Sequence, residues 1–179
     1  MNVLAVAGSL RAASINAAFC RASSRLAPPG LHITVYAHLG SLPPFNPDLD
    51  ARPPRAVAQF RAAIGGADAL ILASPEYARG MSGVMKNALD WLVSYEGFVG
   101  KPVAVINTSP RASHAYDSML EVLKTMSATL VPEASIAVPL LGECITEDRM
   151  VGTPAIALQI RAALVALEAF LRYRAQFVP

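Results

Sequence analysis

Short apolar runs alternate with helix-spaced apolar positions along this chain. The first run, "NVLAVAG" (Asn2–Gly8), is Val-rich and unbroken, the pattern of a strand buried on both faces. From Ser14 to Leu26 the apolar positions Ile15, Ala18, Phe19 and Ala22 fall on one side of a helix. After the breaker "PPG", "LHITVYA" (Leu31–Ala37) reads as a second strand. A long proline-bearing loop follows, then a helix over Pro54–Ile64 stopped by Gly65-Gly66. Strand 3 spans Ala67–Ala73, and a helix begins near Ser82. Strand 4 spans Pro102–Asn107, and the next helix Ser113–Thr129 carries Met119, Val122, Leu123 and Met126 at helical spacing. Strand 5, Leu130–Val138, is interrupted by Pro132. A loop precedes a final helix, Thr153–Phe177, with Ile156, Ile160, Leu164, Leu167 and Leu171 on one stripe.

That βαβαβαβαβα alternation predicts an α/β fold, a doubly wound sheet of five parallel strands with helices on both faces. The strand order expected is 2-1-3-4-5, with a switch point between strands 1 and 3. Ligands of such sheets sit beyond the carboxyl ends of the strands. The loops after strand 1 (Gly8–Ser14), strand 3 (Ser74–Ser82) and strand 4 (Thr108–Ser113) are therefore expected to line the site.

Composition narrows the class. A length of 179 residues suggests one domain over 1–179. Apolar residues make up 54% and charged residues 16%, yet no uninterrupted apolar run reaches the ~18 residues of a membrane span. "MNVLAVAG" lacks a basic leader and reads as strand, so a cytoplasmic location and no membrane partner are expected. A scattered net charge of +2 gives no reason to expect nucleic acid. Cys20 and Cys144 have no metal-ligand spacing and are expected to be reduced thiols; no metal site is predicted.

The candidate chemistry lies in the loops. Ser9, Arg11, Ser14 and Asn16 sit between a buried strand and a helix start. A helix N-terminus with serine hydroxyls and a guanidinium fork suits a phosphate. Ser14 as a plain helix cap is the alternative, and this loop alone does not decide. Neither G-x-x-x-x-G-K-[ST] nor G-x-G-x-x-G is present. In the second loop Pro75 stiffens the chain, Gly80 and Gly83 permit close approach, and Tyr77 offers a ring and a hydroxyl.

"GSLRAASINAAF" together with "SPEYARGMSGVMKNALDWL" resembles the NADPH-dependent FMN reductase family, flavodoxin-like enzymes that include chromate, quinone and azo-dye reductases. The resemblance runs over about residues 2 to 175. It implies an FMN phosphate held by Ser9, Arg11, Ser14, Ile15 and Asn16, and a ring laid against Pro75, Glu76, Tyr77, Ala78 and Gly80, mostly through backbone. Ser109 and Arg111 would complete the site from the strand-4 loop. It further implies hydride passed from NADPH, or NADH, through FMN to a small-molecule electron acceptor: a quinone, flavin, azo compound or chromate. Lys86, Asn87, Asp90 and Trp91 look like the family's supporting helix, whose pairing across a two-fold axis would make a homodimer or homotetramer.

Two departures stand out. The family usually has Asn where Ala78 stands and Pro where Ser82 stands, and it often places glycines where this chain has "TSPRASHAYD". The rival readings are a flavodoxin-like electron carrier and a non-catalytic nucleotide or phosphate binder. The loop Leu39–Pro53 is expected over the mouth of the site.

Overall fold

A computed structural model describes residues 1–109, 113–138, 140 and 145–177. In chain order the elements are β1 (Asn2–Ala7), α1 (Ile15–Leu26), β2 (His32–Val35), α2 (Arg55–Gly65), β3 (Ala69–Ala73), β4 (Glu76–Tyr77), β5 (Gly80–Met81) and α3 (Gly83–Asp90). Then come β6 (Pro102–Ile106), α4 (His114–Thr125), β7 (Thr129–Leu130), α5 (Glu147–Gly152) and α6 (Pro154–Phe177). The main sheet is parallel throughout, in the order β2-β1-β3-β6-β7. That is the 2-1-3-4-5 order expected from the sequence, with β4 and β5 forming a separate two-stranded hairpin.

Successive strand side chains point to opposite faces, and the two faces differ in size. Val3, Ala5, Ala7, Ala69, Ile71, Ala73, Ala104 and Ile106 line the face covered by α1 and α6. Leu4, Val6, Leu70, Leu72, Val103 and Val105 line the other, against α2, α3 and α4. The alanines let α1 approach the sheet closely, while branched side chains fill the layer on the other face. By length and composition α6 is apolar enough to cross a membrane. Here its Ile160, Leu164, Leu167 and Leu171 are buried against the small-residue face.

Four features differ from the sequence reading. Helix α4 stops at Thr125, because Ser127 turns the chain at a φ of 59° and sends it into β7. Strand 5 shrinks to Thr129–Leu130, since a 3-10 turn over Pro132–Ala134 replaces its middle, and pairing resumes only at the Asn107–Ala137 bridge. The hairpin β4–β5 stands in a segment read as loop. So does α5, whose start is capped by Thr146 Oγ1, which accepts from the Arg149 amide.

Candidate active site

β1 runs straight into the first loop. Gly8 donates its amide to Ala73 O at 2.8 Å, which extends the β1–β3 ladder by one rung. A Cβ on Gly8 would stand 2.9 Å from Ser82 Oγ and 3.0 Å from both Met85 Cβ and Ser74 Oγ. Only glycine lets the first loop lie this close to the second. Ser14 then caps α1, its Oγ accepting from the Ala17 amide at 3.1 Å. The first two amides of α1, on Ile15 and Asn16, have no carbonyl within reach along the helix. Among the described residues no hydrogen bond takes them. Arg11 is exposed beside them, with no ion pair among the described residues. Burial pushes the Cys20 thiol, one turn further along α1, up to about 12.

The second loop is tied to itself. Ser74 Oγ accepts from the Ser82 amide at 3.0 Å, and Ser82 Oγ caps α3 by accepting from the Met85 amide. Ser82, where the family usually has proline, thus supplies both a loop contact and a helix cap. β4 and β5 close around Ala78 and Arg79, at φ of 50° and 61°. Both central residues of this tight turn are left-handed, a geometry that favours Asn-Gly and costs other residues ~1 kcal/mol or more each. Glu76 Oε2 turns away from the loop and accepts from the Ala115 amide at 3.0 Å, in the first turn of α4. Ser113, at the head of that helix, makes no side-chain cap. Glu76 is therefore the cap of a helix 38 residues downstream of its own strand, a non-local role no sequence motif announces.

β6 brings the third loop. Thr108 Oγ1 donates to Asn16 Oδ1 at 3.0 Å, which joins this loop to α1 through two buried side chains. Asn107 Oδ1 accepts from the Ser109 amide. Between these loops lies a cleft of about 590 Å³. Of the residues singled out from the sequence, it brings together Ser9, Arg11, Ser14, Ile15, Asn16, Pro75, Glu76, Tyr77 and Ser109. Ala78, in the hairpin turn, and Gly80, which opens β5, are not among its lining residues. Arg111 and Cys144 lie outside the described residues. The sequence reading missed Leu140 and Ile145 as lining residues; it placed Ala13, Ser74 and Thr108 only within loop ranges.

The long loop does not line this cleft. Asn87 holds it instead, accepting from the Phe45 amide (2.7 Å) and donating to Pro43 O (3.0 Å). Trp91 Nε1 donates to the same carbonyl at 2.8 Å, and its ring meets Phe45 edge-on. Arg61 fastens the far end, donating to Trp91 O and pairing with Asp50. The Ser94 hydroxyl and that guanidinium hold the Asp50 carboxyl below its ordinary range. Asn87 and Trp91, prominent in the sequence motif, thus clamp the long loop onto α3.

The model of the NADPH-dependent FMN reductase family matches residues 1–141. An NAD(P)H-dependent FMN reductase of Pseudomonas aeruginosa is 42% identical over 112 residues, covering 61% of this chain and 60% of that protein. A quinone reductase of Pseudomonas putida is 37% identical over 145 residues, covering 75% of this chain and 77% of its own. This chain thus spans about 60% of the length of the first relative and more of the second. Among solved structures, the flavoenzyme NAD(P)H:(acceptor) oxidoreductase of Paracoccus denitrificans superposes with a TM-score of 0.74 at 29% identity, covering 94% of this chain and 97% of that one.

Proposed function

The chain belongs to the NADPH-dependent FMN reductase family, and from that premise we propose that it is an FMN-containing, NAD(P)H-dependent oxidoreductase that passes hydride to a small acceptor such as a quinone. The observation that carries the reading is the set of unengaged donors at one end of the switch-point cleft. The Ile15 and Asn16 amides, the Ser9 hydroxyl and the Arg11 guanidinium converge where a helix N-terminus already favours negative charge. That donor set fits a phosphate monoester. The cleft volume falls in the usual range of ~300–1,000 Å³ for small-molecule sites.

In this reading Ser9, Arg11, Ser14, Ile15 and Asn16 hold the FMN phosphate. The segment Pro75–Tyr77 supplies a stiff ledge for the ring, with the hairpin residues Ala78 and Gly80 shaping it from behind. Ser109 and Arg111 serve the same site from the third loop. When bound, FMN supplies the hydride chemistry. The protein's part is to seat the phosphate, orient the ring on the ledge and leave the cleft open for donor and acceptor in turn. NADPH is the donor of this reading, with NADH as the alternative. The acceptors that suit an open cleft are quinones, flavins, azo compounds and chromate.

The reading treats residues 1–179 as one flavodoxin-like domain that forms a homodimer or homotetramer. Exposed apolar side chains beside α3, at Leu49 and Val93, support an interface there. Dependence on NAD(P)H supports a cytoplasmic location, with neither nucleic acid nor membrane as partner. The test is an absorption spectrum of protein with added FMN, before and after anaerobic NADPH. Bleaching of bound flavin supports the reductase. Bound flavin that stays oxidised favours an electron carrier, and no bound flavin overturns the reading.

A further inference from the structure

Among the described residues, Ile145 is the one cleft residue contributed by the segment leading into α5. It lies beyond the stretch matched by the family model, which ends at residue 141. Its side chain is 42% exposed, although it is aliphatic and lines a cleft whose other aliphatic walls are Ile15 and Leu140. Something has to keep this residue beside α1 rather than out in solvent.

Two sets of contacts do so. Met150 is fully buried in the core and fixes the depth of α5. The first turn of α5 is fixed separately, by charge. Arg21 and Arg25 are four residues apart on α1 and so share one of its faces. Arg21 Nε meets Glu147 Oε2 at 2.9 Å, and Arg25 Nη1 meets Glu147 Oε1 at 3.3 Å and Asp148 Oδ1 at 2.6 Å. The hydrogen bonds to Asp148 and Glu147 hold the Arg25 guanidinium above its ordinary range. Single exposed pairs contribute little, but these three form a network of two guanidiniums and two carboxylates. Glu147 and Asp148 are two and three residues from Ile145. The same helix that brings Ser14, Ile15 and Asn16 to the cleft thus also grips the segment that carries Ile145.

We propose that Arg21 and Arg25 are positioning residues that act through Glu147 and Asp148 to hold Ile145 as an outer wall of the cofactor cleft. The inference rests on FMN being the ligand of that cleft. The wall adds apolar contact to a site whose affinity otherwise depends on the phosphate seat.

The experiment measures FMN affinity by quenching of flavin fluorescence, alongside the thermal midpoint of each apo-protein. Ile145→Ala is expected to raise Kd about fivefold, the effect of losing a half-buried aliphatic contact. The double variant Glu147→Gln/Asp148→Asn is expected to raise it by a similar factor, and so is Arg21→Gln/Arg25→Gln, which leaves the α5 sequence intact. Adding Ile145→Ala to either double variant is expected to change little further, because all act through one wall. Fully additive effects would overturn the proposal. So would double variants that lower the thermal midpoint while leaving Kd unchanged, the signature of a merely structural ion-pair network. Wild-type protein that does not bind FMN overturns the functional reading and this inference with it. Wild-type binding with all variants unmoved overturns this inference alone.

Discussion

On the strand-3 side of the cleft the Ser74 and Ser82 hydroxyls and the Glu76 carboxylate are all engaged within the protein. On the strand-1 side the Arg11 guanidinium and the Ile15 and Asn16 amides have no partner among the described residues. The first wall uses its polar groups to fix a shape, including a turn with two residues in left-handed geometry. The second ties itself down through Ser14 and Asn16 but leaves the Arg11 guanidinium and the first two helix amides available to a ligand. Shape and charge recognition are thus divided between two loops that touch only because Gly8 has no side chain. A change in the first wall should register as stability, and a change in the second as affinity.

The largest effect is expected where affinity alone should move. Arg11→Ala removes a charge-assisted contact worth roughly 1.5–3 kcal/mol, so FMN Kd should rise about ten- to hundredfold. Its urea midpoint should stay at the wild-type value, because the Arg11 guanidinium has no partner among the described residues. A large midpoint drop would erase the division between the walls. Next is Gly8→Ala, which forces a methyl against Ser82 Oγ, Met85 Cβ and Ser74 Oγ. Overpacking of this kind costs roughly 1–3 kcal/mol. Both stability and flavin affinity should fall, as this residue belongs to both walls; normal affinity in a destabilised protein would show that the ledge can shift without harm.

Glu76→Ala tests the first wall alone. It removes the cap of α4 and should cost about 1 kcal/mol, seen as faster hydrogen exchange at the Ala115 amide. Protection of that amide equal to wild type would mean the carboxylate is dispensable as a cap. The smallest effect, and the only gain, is expected from Ala78→Asn with Arg79→Gly. Residues suited to left-handed geometry should raise stability by about 1 kcal/mol in chemical denaturation. A loss of FMN affinity in that more stable protein would indicate that the strained turn serves the site.

The strands of this fold were legible because a parallel sheet buried on both faces leaves unbroken apolar runs, as in "NVLAVAG". The start of α1 was legible because helix starts carry local signals, Ser14 above all. The rest depended on information the local sequence does not hold. The β4–β5 hairpin has two-residue strands and an Ala-Arg turn, against every turn preference. Glu76 finds its partner on another helix, and the ion pairs that tie the start of α5 to α1 join residues 122 to 126 positions apart. α5 was recoverable: Thr146 followed by Glu147 and Asp148 is a cap with acids in the first turn, the signal of a helix start. The long loop was expected over the site from its prolines and length, but Asn87 and Trp91 bind it elsewhere.

The small-residue face of the sheet has a consequence for synthesis. Its strands β1, β3 and β6 are complete once Ile106 has been made, yet Ile160, Leu164, Leu167 and Leu171, which cover it, come last along the chain. For the seconds that a ribosome needs to add those residues, a finished stretch of sheet has only α1 over this face. The nascent chain should therefore be most vulnerable to aggregation, and most dependent on chaperones, just before α6 emerges from the exit tunnel.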